Sequence, residues 1–99
     1  MIDTISIYEL FKLYQNKEIN VIDVRQKEKF QEYHIPGSIN FPGFLSIKKK
    51  HEMLSKNKTY YIVDYNDEFA EEICNDLINE GYHAVRVFGG IKRWKGDFK

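Results

Sequence analysis

Few side chains in this sequence could do chemistry, and most sit in one run, Asp64-Tyr65-Asn66-Asp67-Glu68-Phe69, which follows the apolar stretch Tyr60-Tyr61-Ile62-Val63. A carboxylate such as Asp64 can attack a phosphoryl group. That reaction needs cations nearby to offset the phosphate charge. No Lys or Arg occurs between Thr59 and Val85, whereas Asp64, Asp67, Glu68, Glu71, Glu72, Asp76 and Glu80 all do. Asp64, Asn66 and Glu68 also have the spacing that opens a calcium loop. Phe69 stands where that loop needs Gly, and Asn75 where it needs Glu, so no metal is expected. The remaining use of Asp64 is structural: a strand-end carboxylate accepting backbone N–H bonds from its own loop. Cys74 is the single cysteine. It falls on the apolar stripe of a helix, the place of a small buried hydrophobe, and a sulfur-carrier role would require it exposed.

The elements around this run follow from pattern. Ser6-Ile7-Tyr8-Glu9 has the form of a capping box, and Leu10, Phe11, Leu13 and Tyr14 continue a helix ending near Asn16. Val21-Ile22-Asp23-Val24 reads as a buried strand and Phe30 to Tyr33 as a helical turn. His34-Ile35-Pro36-Gly37 reads as a turn and Ser38-Ile39-Asn40 as a short strand. A basic helix is expected from Ser46 to Leu54. Tyr60–Val63 is apolar without alternation, as suits a sheet covered on both faces. Asp67 to Glu80 is the clearest helix. Its stripe is Phe69, Ala70, Ile73, Cys74, Leu77 and Ile78, it carries Asp67 and Glu68 at its start, and Gly81 stops it. Ala84–Phe88 is a last strand, and Gly89-Gly90 turns into a short helix carrying Ile91 and Trp94. Strands alternating with helices predict an open parallel sheet with helices on both faces. Ligands then sit beyond the carboxyl ends of the strands, after Val63 and after Phe88.

Ile22-Asp23-Val24-Arg25, then Phe30, then His34-Ile35-Pro36-Gly37-Ser38-Ile39-Asn40-Phe41-Pro42 resemble the opening signatures of the rhodanese-like domain. Gly81-Tyr82, Val85, Val87 and Gly89-Gly90-Ile91 with Trp94 resemble its end. The match is collinear over nearly the whole chain and implies one domain over 1–99, with a five-stranded parallel sheet. Active members carry Cys-x-x-Gly-x-Arg between a strand and a helix, where converging amides and the helix N-terminus lower the thiol pKa. Counting back from Gly81-Tyr82 puts Asp64 at the cysteine, Asp67 at the glycine and Phe69 at the arginine. The resemblance therefore implies a degenerate active-site loop with no catalytic residue. It makes Asp23 and Arg25 hydrogen-bonding residues of the sheet edge and His34 structural. Arg25, Gly89 and Gly90 are candidates for the pocket border.

The chain has 99 residues, 42% of them hydrophobic, which is enough for a core. Fifteen Lys+Arg balance fifteen Asp+Glu, so neither nucleic acid nor an anionic membrane is indicated. With no secretion signal after Met1, no transmembrane run and one cysteine, a cytoplasmic protein is expected, without cofactor. The resulting expectation is a non-catalytic, protein-binding or regulatory module. Its partner would have a basic surface, or would be a second copy offering Lys48, Lys49 and Lys50. The alternatives are altered, metal-assisted chemistry centred on Asp64, or sulfur carriage by Cys74.

Overall fold

The fold is built on three inner strands that send apolar side chains into the interior on both faces of the sheet. In the computed structural model, which describes residues 3–42, 54–66 and 69–99, the order is β1 (Thr4–Ser6), α1 (Ile7–Asn16), β2 (Asn20–Asp23), α2 (Lys27–Glu32), β3 (Ile39–Asn40), β4 (Thr59–Val63), α3 (Ala70–Asn79) and β5 (His83–Phe88), then a 3-10 turn, Ile91–Arg93. The strands form one five-stranded sheet in the order β1-β5-β4-β2-β3, every pair parallel. Ile22 pairs with Ile39 on one side and with Ile62 on the other, which centres the sheet on β2 and β4.

Because successive strand side chains point to opposite faces, the inner strands β2, β4 and β5 each supply two cores. Ile22, Tyr60, Ile62 and Ala84 face a cluster completed by Ala70, Ile73, Cys74 and Leu77 of α3. Val21, Val63 and Val87 face the other cluster, with Ile7 and Leu10 of α1, Ile35, Ile91 and Trp94. The continuous apolar runs of the sequence are the trace of this two-sided burial. Trp94 closes the second core, its ring edge-on to Phe11 and Tyr14 at 5.1 and 5.2 Å between centroids.

The helix ends follow the residues that predicted them. Ser6 caps α1 through its side chain to the Glu9 amide, and Glu9 returns to the Ser6 amide. The α3 C-terminus is a Schellman turn: Tyr82 N–H donates to Leu77, Gly81 N–H to Ile78, and Gly81 has φ +93°. Several expectations shift. The strand β1 at the sheet edge has too few apolar residues to be read as one, and Ser6 serves both as its last residue and as the α1 cap. The helix α2 begins at Lys27, three residues before Phe30. The helix α3 begins at Ala70, with Phe69 as its N-cap. Phe69 and Ile78 leave the apolar stripe: they are 51% and 39% exposed, whereas Ala70, Ile73, Cys74 and Leu77 are buried. The expected basic helix and Lys48–Lys50 lie outside the described residues, save Leu54, as do Asp67 and Glu68.

The turn after β5 packs against the loop after β4. Ile91 N–H donates to the Asp64 carbonyl at 2.8 Å and Lys92 N–H to the Tyr65 carbonyl at 3.2 Å. Gly90, at φ +69° and ψ 177°, lies so close that an added Cβ would sit 2.1 Å from the Tyr65 oxygen. Gly90→Ala therefore forces both a glycine-only backbone conformation and a collision with backbone, and a loss of about 3 kcal/mol or more is expected in urea unfolding.

Candidate functional site

In an open parallel sheet the carboxyl ends of adjacent strands meet at one rim. Here the ends of β2 and β4 are neighbours, Asp23 pairing with Val63, so Arg25 and Asp64 are brought to the same edge. A cleft of about 530 Å³ opens there. Val24, Arg25 and Gln26 line it from the end of β2, Lys29, Glu32 and Tyr33 from α2 and its C-cap, and Asp64, Tyr65 and Phe69 from the loop between β4 and α3.

Asp64 is 6% exposed. Its Oδ1 accepts the Tyr65 N–H at 2.8 Å and its Oδ2 accepts the Phe69 N–H at 3.0 Å. Its carbonyl takes the Ile91 N–H. The carboxylate thus bridges the two ends of its own loop and holds the amide of the residue that caps α3. Both oxygens of this buried side chain thus have a backbone donor, so no polar atom of it is left unsatisfied.

Across the cleft, Arg25 is held as tightly. Its Nε lies 3.1 and 3.0 Å from the two Asp23 oxygens, and its Nη2 donates to Asp23 Oδ2 at 2.8 Å and to the Tyr33 carbonyl at 2.7 Å. Asp23 is wholly buried and also accepts the Arg25 N–H at 2.9 Å. The guanidinium stands 5.0 Å from the centre of the Tyr33 ring. Asn40 ties this corner to β3 by donating from Nδ2 to the Asp23 and Arg25 carbonyls. With its charge matched by a buried partner, Arg25 shapes the wall without offering a free cation.

The remaining sequence candidates divide. Gly89 and Gly90 do not line the cleft: Gly90 packs against the loop backbone at Tyr65, and Gly89 lies against the Ile7 side chain. His34 lies away from the rim: its Nδ1 is 2.8 Å from the Phe30 carbonyl and its ring stacks on Phe30 at 3.9 Å. Cys74 is wholly buried within α3, so it offers no exposed thiol. Tyr65 and Phe69 are both exposed at the cleft, 47% and 51%. Lys29, Glu32 and Tyr33 were not singled out by the sequence. Their spacing from Arg25 is helical, but α2 has six residues and no buried side chain, so no apolar stripe announces which side faces the rim.

Among the described residues no helix is long and apolar enough to cross a membrane. The rhodanese-like domain model matches residues 6–97. The candidate sulfurtransferase YtwF of Bacillus subtilis (strain 168) is 31% identical over 88 residues, covering 89% of this chain and 84% of that protein. The crystal structure of SSP1007 from Staphylococcus saprophyticus superposes with a TM-score of 0.92 at 25% identity, covering 99% of each chain. That of a rhodanese-like domain protein from Staphylococcus aureus superposes with a TM-score of 0.86 at 31% identity, covering 97% of this chain and 93% of that one. With the signatures, the parallel sheet and the strand-end loop all in register, this chain belongs to the rhodanese-like family of sulfurtransferase-homologous domains.

Proposed function

We propose that this domain is a non-catalytic rhodanese-like module that docks a protein partner at the cleft between α2 and the β4–α3 loop. The observation that carries the reading is the double engagement of Asp64: each carboxylate oxygen accepts an amide of the loop in which an active relative would hold its sulfur-bearing cysteine. A carboxylate forms no persulfide, and the amides that would stabilise a bound anion already have one. The β4–α3 loop itself carries no Lys or Arg to draw thiosulfate or phosphate in, and Arg25 beside it is matched by Asp23, which leaves the exposed Lys29 on α2 as the other cation of the cleft. What the cleft does offer is exposed aromatic surface on a rigid rim, which is the material of protein contacts. A reducing, cytoplasmic setting accords with the lone buried cysteine.

Three outcomes test this. Thiosulfate-to-cyanide transfer, followed as thiocyanate, should stay at background; turnover that vanishes in Asp64→Ala would overturn the reading. Asp64→Ala should itself lower stability by about 1–3 kcal/mol in urea unfolding, because it leaves the Tyr65 and Phe69 amides without their acceptor. A carboxylate kept for catalysis is commonly a strained residue whose removal raises stability, so the sign discriminates. Finally, Asp64→Cys alone should give little transfer. Asp67 and Glu68, three and four positions further along the sequence, give that loop a like charge that opposes a thiolate. The triple change Asp64→Cys, Asp67→Gly, Phe69→Arg should bring that pKa down, as read from the pH profile of iodoacetamide alkylation. A single mutant already as reactive as the triple would refute the argument from loop charge.

A further inference from the structure

The two walls of the cleft are held by different means. The wall between β4 and α3 is tied by Asp64 to its own loop and backed by the buried face of α3. The α2 wall brings Lys29, Glu32 and Tyr33 to the cleft without such backing: α2 has six residues, buries no side chain, and its N-cap Gln26 makes no side-chain capping bond. A helix this short has little stability of its own. What fixes it is its C-terminal end. There the half-buried Tyr33 packs on the second core, its carbonyl accepts from Arg25 Nη2 and its ring lies against the guanidinium. The next residue, His34, exchanges two backbone bonds with Lys99: Lys99 N–H donates to the His34 carbonyl at 2.8 Å, and His34 N–H donates to the Lys99 backbone oxygen at 3.2 Å. Beside this pair Phe98 sets its ring edge-on against Tyr33, 4.9 Å between centroids.

The segment that reaches α2 in this way is anchored at its other end in the second core. Trp94 is buried, and its indole N–H donates to the Asp97 carbonyl at 3.1 Å. Gly96 permits the close turn before it, since an added Cβ would lie 2.8 Å from the Phe11 ring and 2.9 Å from Trp94 Nε1. Asp97, Phe98 and Lys99 themselves are exposed. A segment with few bonds and much surface in water opens at lower cost than the domain unfolds. We propose that residues 97–99 form a strap that regulates the cleft: docked, it holds α2 in place as one wall; released, it frees α2 while the wall built on Asp64 stays fixed. The proposal rests on the docking reading only in taking this cleft as the site served. Trp94, Asp97, Phe98, Tyr33 and Arg25 form one contiguous run of contacts, so a change at either end is felt at the other.

The test is hydrogen exchange followed by NMR on the 15N-labelled full chain. Trp94 is the single tryptophan, so its indole N–H is one distinct reporter of the docked strap, and the Phe30 and Tyr33 amides, bonded to Gln26 and Lys29, report the α2 wall. Phe98→Ala should speed exchange of both α2 amides about tenfold, as loss of one ring contact implies, and leave the amides of Ile62 in β4 and Ile73 in α3 unchanged. Phe98→Tyr, which keeps the ring, should exchange like the unaltered protein. The reciprocal change, Tyr33→Ala, should speed exchange of the Trp94 indole. Unchanged α2 amides in Phe98→Ala, a rise spread equally over β4 and α3, a tyrosine variant as fast as the alanine one, or an indole indifferent to Tyr33→Ala would each overturn the strap. No partner enters the measurement, so its failure leaves the docking reading standing, and failure of that reading leaves the strap to be judged by the same amides.

Discussion

The carboxylate of Asp64 is the interaction on which the site depends. Its side chain holds the amides of Tyr65 and Phe69, and its carbonyl holds the amide of Ile91. One residue thereby ties the end of β4 to the start of α3 and to the turn after β5. Each bond alone is worth roughly 0.5–3 kcal/mol, more for the charged acceptor. Their joint effect is geometric: the loop's two ends stay fixed and the rings of Tyr65 and Phe69 stay at the surface. Phe69 reads as an apolar stripe residue, yet with its amide drawn to Asp64 it becomes the N-cap, and its side chain is left over the cleft rather than under the helix.

The opposite wall depends on a second charged residue neutralised from within. Breaking a buried pair such as Asp23–Arg25 strands a charge and typically costs about 3–5 kcal/mol, so such a pair is kept whole or replaced whole. Here it fastens the end of β2 to Tyr33, and Asn40 extends the same network to the edge strand β3. The two walls thus share a design: a formal charge at a strand end, spent on the protein's own backbone or side chains. In the proposed non-catalytic role, the rhodanese-like scaffold is retained while the charged groups at the cleft are engaged within the protein itself.

In a loop that activates a cysteine, amide dipoles and cations converge on an empty point and draw an anion in. Here the Tyr65 and Phe69 amides already hold the Asp64 carboxylate, and Glu71 and Glu72 in the first turn of α3 are favoured by the helix N-terminus.

The sequence alone determined the parts whose physics is local. The capping box at Ser6 and Glu9, the Schellman stop at Gly81, the apolar runs of β2 and β4 and the stripe of Ala70, Ile73, Cys74 and Leu77 each follow from spacing and backbone preference, and the signatures around Asp23, His34 and Gly89 led to the family and its five strands. The placement of Asp64 at a strand end was legible for the same reason. Only the tertiary structure decided what is non-local. β1 has three residues and exists because β5 offers it an edge. The cleft wall at Lys29, Glu32 and Tyr33 exists because β2 lies beside β4, a pairing of strands some forty residues apart. Gly90 looked like a pocket border and proved to be a close packing of two turns, since φ and sequence say that a glycine is needed but not which backbone comes near it. Which groups satisfy the two charges was likewise a matter of contacts: Asp64 reads as a strand-end carboxylate bonded to its own loop and Arg25 as a sheet-edge residue, and the fold supplies the particular partners, the Tyr65 and Phe69 amides for one and Asp23 with the Tyr33 carbonyl for the other.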